Sequence, residues 1–247
     1  MEVHPHTHTE RKKFTHYLWE FLMLFLAVFC GFLAENFREH QVEKARERQY
    51  MQSLIQDLQS DTATLNIGFP QKDQRINAID SVFLFFETHP LDEKTIPYNI
   101  YRLMQRSTWD RINQRNSGTI DQLKNAGGMR LIRNKTVADS IAKYDWAWQI
   151  SGYWREAYVT YQEKLNALTD RIYNAGDLVS TYRNPVGSKL MSANTDSIKI
   201  NPGALNEYIN LLSRVKVNTF LDRLVYQGLE KRAERLIELI KNKYHLE

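Results

Sequence analysis

The stretch HYLWEFLMLFLAVFCGFLAENFREH, residues 16–40, is the only long apolar run in the chain. Its centre, residues 21–34, has fourteen residues without a charge, and Glu20 and Glu35 stand at its two ends. With the flanking residues, the run reaches the ~20 residues that a helix needs to cross a ~30 Å hydrocarbon core. Tyr17 and Trp19 fall where the aromatic belt of a membrane protein lies. We therefore predict a transmembrane helix over residues 14–37.

A cleaved signal peptide and a buried core helix are the alternatives to an anchor. Basic residues precede the run at 11–13, as in a signal peptide, but Phe29 stands before Cys30 where a small residue is needed, and Glu20 interrupts the apolar region. A core helix with Phe and Leu on nearly all sides would need a shell of protein around it. The pattern favours an uncleaved single-pass anchor.

The faces of this helix differ. At about 100° per residue, Glu20, Ala27, Gly31 and Ala34 share one side, and most of the phenylalanines lie opposite. Small residues let helix backbones approach closely, and an intramembrane carboxylate normally faces protein or water. We predict that this face packs against another copy of the chain or a different membrane protein. The alternative is that Glu20 only reaches the headgroups beside Trp19.

Basic residues lie on both sides of the predicted span and do not by themselves settle its orientation. The short N-terminal segment with its compact Arg11, Lys12 and Lys13 cluster favours a cytoplasmic N-terminus. We therefore expect a bacterial inner (cytoplasmic) membrane protein whose soluble domain is periplasmic.

The composition predicts an all-α fold. Ten glycines and six prolines in 247 residues are few, and helix-favouring residues dominate. The net charge is only +4, with acids and bases interspersed, which argues against a nucleic-acid partner. Because Cys30 is the single cysteine, no intramolecular disulfide can form.

The rest of the chain alternates between amphipathic helices and short breaks. We expect a flexible His-rich tail at 1–13, a juxtamembrane stalk helix of coiled-coil character at 38–70, and an antiparallel helical bundle at 71–247. Gly68 and Pro70 predict a break or kink where the stalk ends. Within the bundle we predict short helices over 99–106 and 119–125, a turn at Gly127 and Gly128, and a long helix over 135–175 capped by Asn134.

The segment near 176–203 is the most loop-like part of the bundle domain. It contains two prolines and three glycines, and we expect it to be mobile or to pair briefly as extended chain around SIKI, residues 197–200. Helical apolar spacing then returns to the C-terminus.

Two segments together resemble a known family. The first is the Glu20-to-Phe37 pattern followed by YMQSLIQDL, and the second is TIDQLKNAGGMRLIRNKTVADSIAKY, residues 119–144. They are similar to small bacterial membrane proteins, found chiefly in Bacteroidota, that share a domain of unknown function. The matching positions in the second segment are Thr119, Leu123, Gly127, Met129, Leu131, Ile132, Asn134, Val137, Ile141 and Tyr144.

This resemblance implies a single-pass anchor with a helical soluble domain, and it implies no activity, since the family has none established. The chain departs from the family's pattern at Ala126, where serine is common, and at Ala138, where arginine is common. Any polar contact made by those two side chains in the family is therefore in doubt here.

Residues suited to catalysis or metal binding are scattered. His4, His6 and His8 alternate in the tail, where adventitious metal binding is the ordinary interpretation, and no histidine lies in residues 119–144. We predict no enzyme activity, no cofactor and no metal site.

A cluster of aromatic residues, YDWAWQISGYWREAYVTYQ, is the one unusual composition outside the apolar run. Trp146, Trp148, Tyr153 and Trp154 are candidate interaction residues, because Tyr and Trp dominate binding hot spots. Core packing is the competing interpretation.

These observations predict a membrane-anchored helical scaffold, accessory subunit or envelope sensor that forms oligomers in the bilayer through the face described above. Two other functions are kept open. An oligomer could conduct protons or ions using Glu20, and the aromatic cluster at 144–161 could make the soluble domain a ligand-binding receptor.

Overall fold

The computed structural model describes residues 14–111, 113–174, 176 and 197–246, with the backbone alone described at residues 153 and 154. The predicted all-α class is confirmed, because 85% of the structure is helical and the described residues contain only one small sheet of two short strands. The His-rich tail at 1–13 lies outside the described residues.

Within the described residues, five helices and two strands follow one another. They are α1 (Phe14–Thr88), β1 (Thr95–Pro97), α2 (Tyr98–Thr108), α3 (Gly118–Asn125), α4 (Lys135–Ile172), β2 (Ser197–Lys199) and α5 (Leu205–Tyr244). Short 3-10 turns occupy Gly128–Leu131 and Pro202–Ala204.

The chain divides into two compact units, Met1–Tyr50 and Met51–Glu247. In the first unit the described residues belong to α1. This is the one helix in the described part of the chain that is long and apolar enough to span a membrane, and none of its most apolar window is buried. The second unit, called the folded unit below, contains every other element.

Three long helices build the folded unit. Tyr144 bonds to Asp61 and Gln162 bonds to Arg75, so α4 runs in the same direction as α1. The segment between these helices carries β1, α2 and α3, and it is long enough to bring the chain back to the same end.

Helix α5 runs antiparallel to α1 and α4. Its Arg223 and Lys216 form ion pairs with Asp73 and Asp80 of α1. Its Glu207 forms an ion pair with Arg171 of α4. The predicted antiparallel arrangement therefore describes α5, whereas α1 and α4 are parallel neighbours.

The main apolar core lies where α1, α2, α4 and α5 meet the two-stranded sheet. Ile96 of β1 opposite Ile198 of β2 closes this core. The SIKI segment is extended, as predicted, and its partner strand β1 lies in the connection between α1 and α2. Other buried members are Ile79, Val82, Met104, Leu165, Leu168, Leu212 and Val215.

The predicted helix break near Pro70 does not occur, since α1 continues through Pro70 to Thr88. Proline removes one backbone donor from the helix ladder, which costs stability. The same face of α1 is buried before and after the proline. Leu65 lies on this face before Pro70, and Lys72, Arg75 and Ile79 continue it afterwards.

Several local predictions are confirmed. The Asn134 side chain caps α4 by accepting from the Val137 backbone N–H, and Gly127 takes a left-handed conformation with φ 66° that glycine adopts readily. Helix α4 ends at Ile172, three residues earlier than the predicted 175. Most of the predicted mobile loop, residues 177–196, lies outside the described residues.

Candidate functional site

The predicted packing face of the membrane helix lies on α1, and its four residues are all exposed in the single chain. A Cβ added at Gly31 would meet nothing within 4 Å. Glu20, Ala27, Gly31 and Ala34 are thus free to meet a partner helix, and their role stays a prediction.

The predicted aromatic residues do not form one platform. Trp146 is 61% exposed on α4, whereas Trp148 is only 6% exposed. Trp148 packs between Tyr144 and Tyr226, with ring centroids 6.5 and 5.9 Å away. Core packing is thus the role of Trp148, and the side chains of Tyr153 and Trp154 lie outside the described residues.

A cluster of buried charges is the most unusual arrangement in the folded unit, and it was not predicted from the sequence. Lys72 and Arg75 project from α1, Asp110 follows α2, and Asp222 lies on α5. The side chains of Lys72, Arg75 and Asp110 are each 1% exposed, and that of Asp222 is 13% exposed. We call these four residues the ionic cluster.

Both cations of the ionic cluster bind Asp110. The Lys72 Nζ lies 3.2 Å from Asp110 Oδ2 and 2.5 Å from Asp222 Oδ2. The Arg75 Nη1 lies 3.0 Å from Asp110 Oδ2. Two positive and two negative charges thus compensate one another, as buried charges must.

Arg75 also joins three elements through neutral partners. Its Nε donates to the Ser107 carbonyl at 2.8 Å, and its Nη2 donates to Gln162 Oε1 at 3.0 Å. The Ser107 hydroxyl is in turn 3.0 Å from the Tyr208 hydroxyl. One guanidinium therefore connects α1, α2 and α4, and a hydroxyl pair extends the connection to α5.

Two tyrosine rings cover the ionic cluster. Lys72 Nζ lies 5.4 Å from the centroid of Tyr226, and the Arg75 guanidinium lies 5.6 Å from that of Tyr158, in the range of cation–π contacts. Burial, with nearby carboxylates adding to it, raises the pKa of each tyrosine to about 12. Burial also raises the pKa of Asp222, against the opposing effect of Lys72.

The cavity beside this cluster is small. It has a volume of about 10 Å³ and is lined by Lys72, Asp110, Arg155 and Asp222, among others. That volume admits about one water molecule and no organic substrate. Because the charged groups bond to one another, this arrangement is suited to holding helices together.

A second polar network joins α1 to the first turn of α3 and the residues just before it. Asp61 accepts from the Asn116 backbone N–H at 2.6 Å and from the Tyr144 hydroxyl at 2.6 Å. Asp57 accepts from the Thr119 backbone N–H at 2.9 Å. The residues around α3 therefore owe their position to carboxylates of α1.

Asp145 of α4 holds the other side of the same region. Arg115 Nη1 lies 2.6 Å from one of its oxygens and Lys124 Nζ lies 2.8 Å from the other. Burial alone would raise the pKa of Asp145, but the bonds from Lys124 and Arg115 outweigh it, so the pKa lies below its ordinary value.

Gly68 allows a loop to approach α1 closely. A Cβ at this position would lie 2.9 Å from both Nδ2 and Oδ1 of Asn113, which is fully buried. Within the described residues these two Asn113 atoms have no hydrogen-bond partner. Gly68 therefore makes room for Asn113 and does not break the helix, although its sequence position had suggested a break.

We expect Gly68→Ala to lower the free energy of unfolding by about 1–3 kcal/mol, because the added methyl forces a buried side chain to move. Thermal unfolding of the full chain in mild detergent, followed by circular dichroism, measures the effect.

Gly228→Ala is the matched control for this substitution. It also lies inside a long helix, but its added Cβ would meet nothing within 4 Å. Alanine should stabilise that position by about 0.5–1 kcal/mol through helix propensity. The close approach at Gly68 is contradicted if the two variants unfold at the same temperature.

A pattern in the sequence could have revealed the buried polar residues. From Met51 to Val82, buried positions of α1 recur at alternating steps of three and four, as in a heptad repeat. The polar or small residues that fall on this register are Asp61, Gly68, Lys72 and Arg75. The register passes through Asp61, which is buried, and not through the neighbouring Thr62.

Compared with protein-family models, curated proteins and solved structures, the chain matches none of them. The resemblance to the Bacteroidota family therefore stays a prediction. Within the described part of the chain, no group of three or more His, Cys, Asp or Glu side chains could hold a metal ion. The tail histidines His4, His6 and His8 lie outside that part.

Proposed function

We propose that this chain is a membrane-anchored helical scaffold, accessory subunit or envelope sensor, with residues 14–37 as its anchor. The observation that carries the proposal is the exposure of the apolar segment. Every large apolar side chain from Phe14 to Phe37 is at least 39% exposed. A continuous apolar surface of this kind needs lipid or protein around it.

The inside of the folded unit supports a structural role. The charges of the ionic cluster bond to one another, and Asp57, Asp61 and Asp145 bond to backbone or side-chain donors of neighbouring elements. Such bonds fix the relative positions of helices, which is what a scaffold or accessory domain requires.

The finer features of the proposal come from the sequence. The anchor lies in the bacterial inner membrane with a cytoplasmic N-terminus, because Arg11, Lys12 and Lys13 precede it closely. The folded unit is then periplasmic. The partners are the lipid bilayer and either a second copy of the chain or another membrane protein, packed on the small-residue face of α1. We also assign the chain to the Bacteroidota family that it resembles.

Membrane fractionation of cells expressing the full chain tests the anchor. We expect the wild type to stay in the pellet after an alkaline carbonate wash. The double substitution Leu24→Arg with Val28→Arg should move the protein to the supernatant, since each arginine at the centre of a span costs about 2.5–3.5 kcal/mol.

Ile67→Arg with Leu84→Arg is the matched control. Both positions lie on α1 and are exposed, as Leu24 and Val28 are, but they belong to the folded unit. This control should remain in the pellet. A wild-type protein released by carbonate, or two double variants that fractionate alike, would reject the anchor.

A further inference from the structure

The folded unit has a groove between α4 and α5 with a volume of about 390 Å³. Lys164 and Arg171 of α4 and Arg214 of α5 line it. Its floor contains the buried side chains of Leu168 and Leu211. The groove therefore combines a cationic wall with an apolar base.

The charges of this groove are only partly compensated. Arg171 Nη1 lies 3.3 Å from Glu207 Oε2, with both side chains more than half exposed. Within the described residues, Lys164 and Arg214 form no ion pair. Three cations against one carboxylate give the groove a local charge of +2. Clustered like charges in a concave surface attract a counter-ion.

We propose that this groove binds a phosphate monoester whose organic group is apolar. A phosphate monoester carries a charge of about −1.5 to −2 at neutral pH, which matches the local charge of the groove. Guanidinium groups bind phosphate oxygens through paired, charge-assisted hydrogen bonds. The volume falls in the range of about 300–1,000 Å³ that is typical of small-molecule sites.

The apolar base decides the class of organic group. Leu168 and Leu211 belong to the core, so the surface that they present at the bottom of the groove is fixed by packing on both helices. Tyr161, half-buried at the wall, adds a ring that an acyl or aromatic group can contact. Inorganic phosphate, which lacks such a group, should bind more weakly.

This proposal does not depend on the membrane anchor, because all the residues named here belong to the folded unit. The ligand could be a soluble metabolite or the headgroup of an anionic lipid such as phosphatidic acid. The two sources share the phosphate monoester, so separate probes distinguish them.

Isothermal titration of the full chain in mild detergent tests the proposal with phenyl phosphate. We expect binding at about 1 mM or better. Lys164→Ala and Arg214→Ala should each weaken it about tenfold, the effect of losing one charge-assisted hydrogen bond. Arg214→Lys keeps the charge and should weaken it less. Arg232→Ala, an exposed base elsewhere on α5, is the matched control and should bind as the wild type does.

Three further probes complete the test. Phenyl sulfate, a monoanion of similar shape, should bind at least several-fold more weakly, since the proposal requires a dianion. Dihexanoyl phosphatidic acid that binds tighter than phenyl phosphate would identify a lipid source, and equal or weaker binding a soluble one. Dihexanoyl phosphatidylcholine should not bind. Absence of phenyl phosphate binding, equal binding of phenyl sulfate, or equal effects of Arg214→Ala and Arg232→Ala would overturn the proposal.

Discussion

Asp110→Ala is expected to lower the free energy of unfolding by about 3–5 kcal/mol, the cost of breaking a buried ion pair by removing one partner. Asp110 accepts from Lys72 at 3.2 Å and from Arg75 at 3.0 Å, and all three side chains are almost completely buried. Lys72 keeps Asp222, but Arg75 keeps only neutral partners. Urea unfolding of the full chain in mild detergent measures the loss.

Glu207→Ala is the control for this prediction. It also removes a carboxylate from an ion pair, but Glu207 and Arg171 are exposed. Exposed pairs contribute about 0–1 kcal/mol, since water solvates each charge when the other is absent. If Asp110→Ala and Glu207→Ala lower the free energy of unfolding equally, burial does not determine how much an ion pair stabilises this protein.

A double variant separates the charge from the packing. Arg75→Met in the Asp110→Ala background removes the cation that has lost its carboxylate. The two substitutions should therefore destabilise the protein by clearly less than the sum of their separate effects. Additive losses would show that Asp110 and Arg75 act independently, in conflict with their 3.0 Å contact.

Helices were predictable from the sequence because their apolar residues recur at helical spacing. Asn134 and Gly127 were also predictable, since capping and left-handed turns depend on one residue type and its immediate neighbours. The extended SIKI segment was found for a similar reason. Its partner, Thr95–Pro97, was missed because pairing across about 100 residues leaves no local pattern.

Continuity of α1 through Pro70 was not predictable from local rules. Proline disfavours a helix interior, and a glycine two residues earlier strengthened the expectation of a break. The folded unit overrides that preference by packing the same face of α1 before and after the proline. Glycine at position 68 is explained by a tertiary contact, the close approach of Asn113, which exists only once the loop that carries Asn113 has folded against α1.

The ionic cluster shows the same limit for site prediction. Lys72 and Arg75 resemble ordinary surface charges in the sequence, and Asp110 and Asp222 lie 38 and 150 residues from Lys72. Only the place of Lys72 and Arg75 on the buried heptad register of α1 distinguishes these two residues from surface charges. The basic groove was likewise invisible, because it combines residues of two helices that are distant in sequence.

Asp61→Ala is expected to lower the free energy of unfolding by about 2–4 kcal/mol. The substitution leaves two donors without their acceptor, the Asn116 backbone N–H and the Tyr144 hydroxyl, and each buried unpaired group costs about 1–3 kcal/mol. Tyr144→Phe removes one donor only and should cost about 1 kcal/mol. Urea unfolding compares the variants, and a larger loss for Tyr144→Phe than for Asp61→Ala would contradict the assignment.

The pH dependence of stability gives an independent test of Asp61. Burial raises the pKa of Asp61 above its ordinary value of 3.8, although bonds from Tyr144 and Asn116 oppose the shift. The folded chain then holds the Asp61 proton more tightly than the unfolded chain does. The contribution of this proton to the free energy of unfolding is therefore complete below pH 3.8 and is lost as the pH rises through the raised pKa. Relative to Asp61→Asn, the wild type should therefore lose stability as the pH rises from about 4 through the raised pKa. If the wild type instead gains stability relative to Asp61→Asn as the pH rises, hydrogen bonding outweighs burial at Asp61.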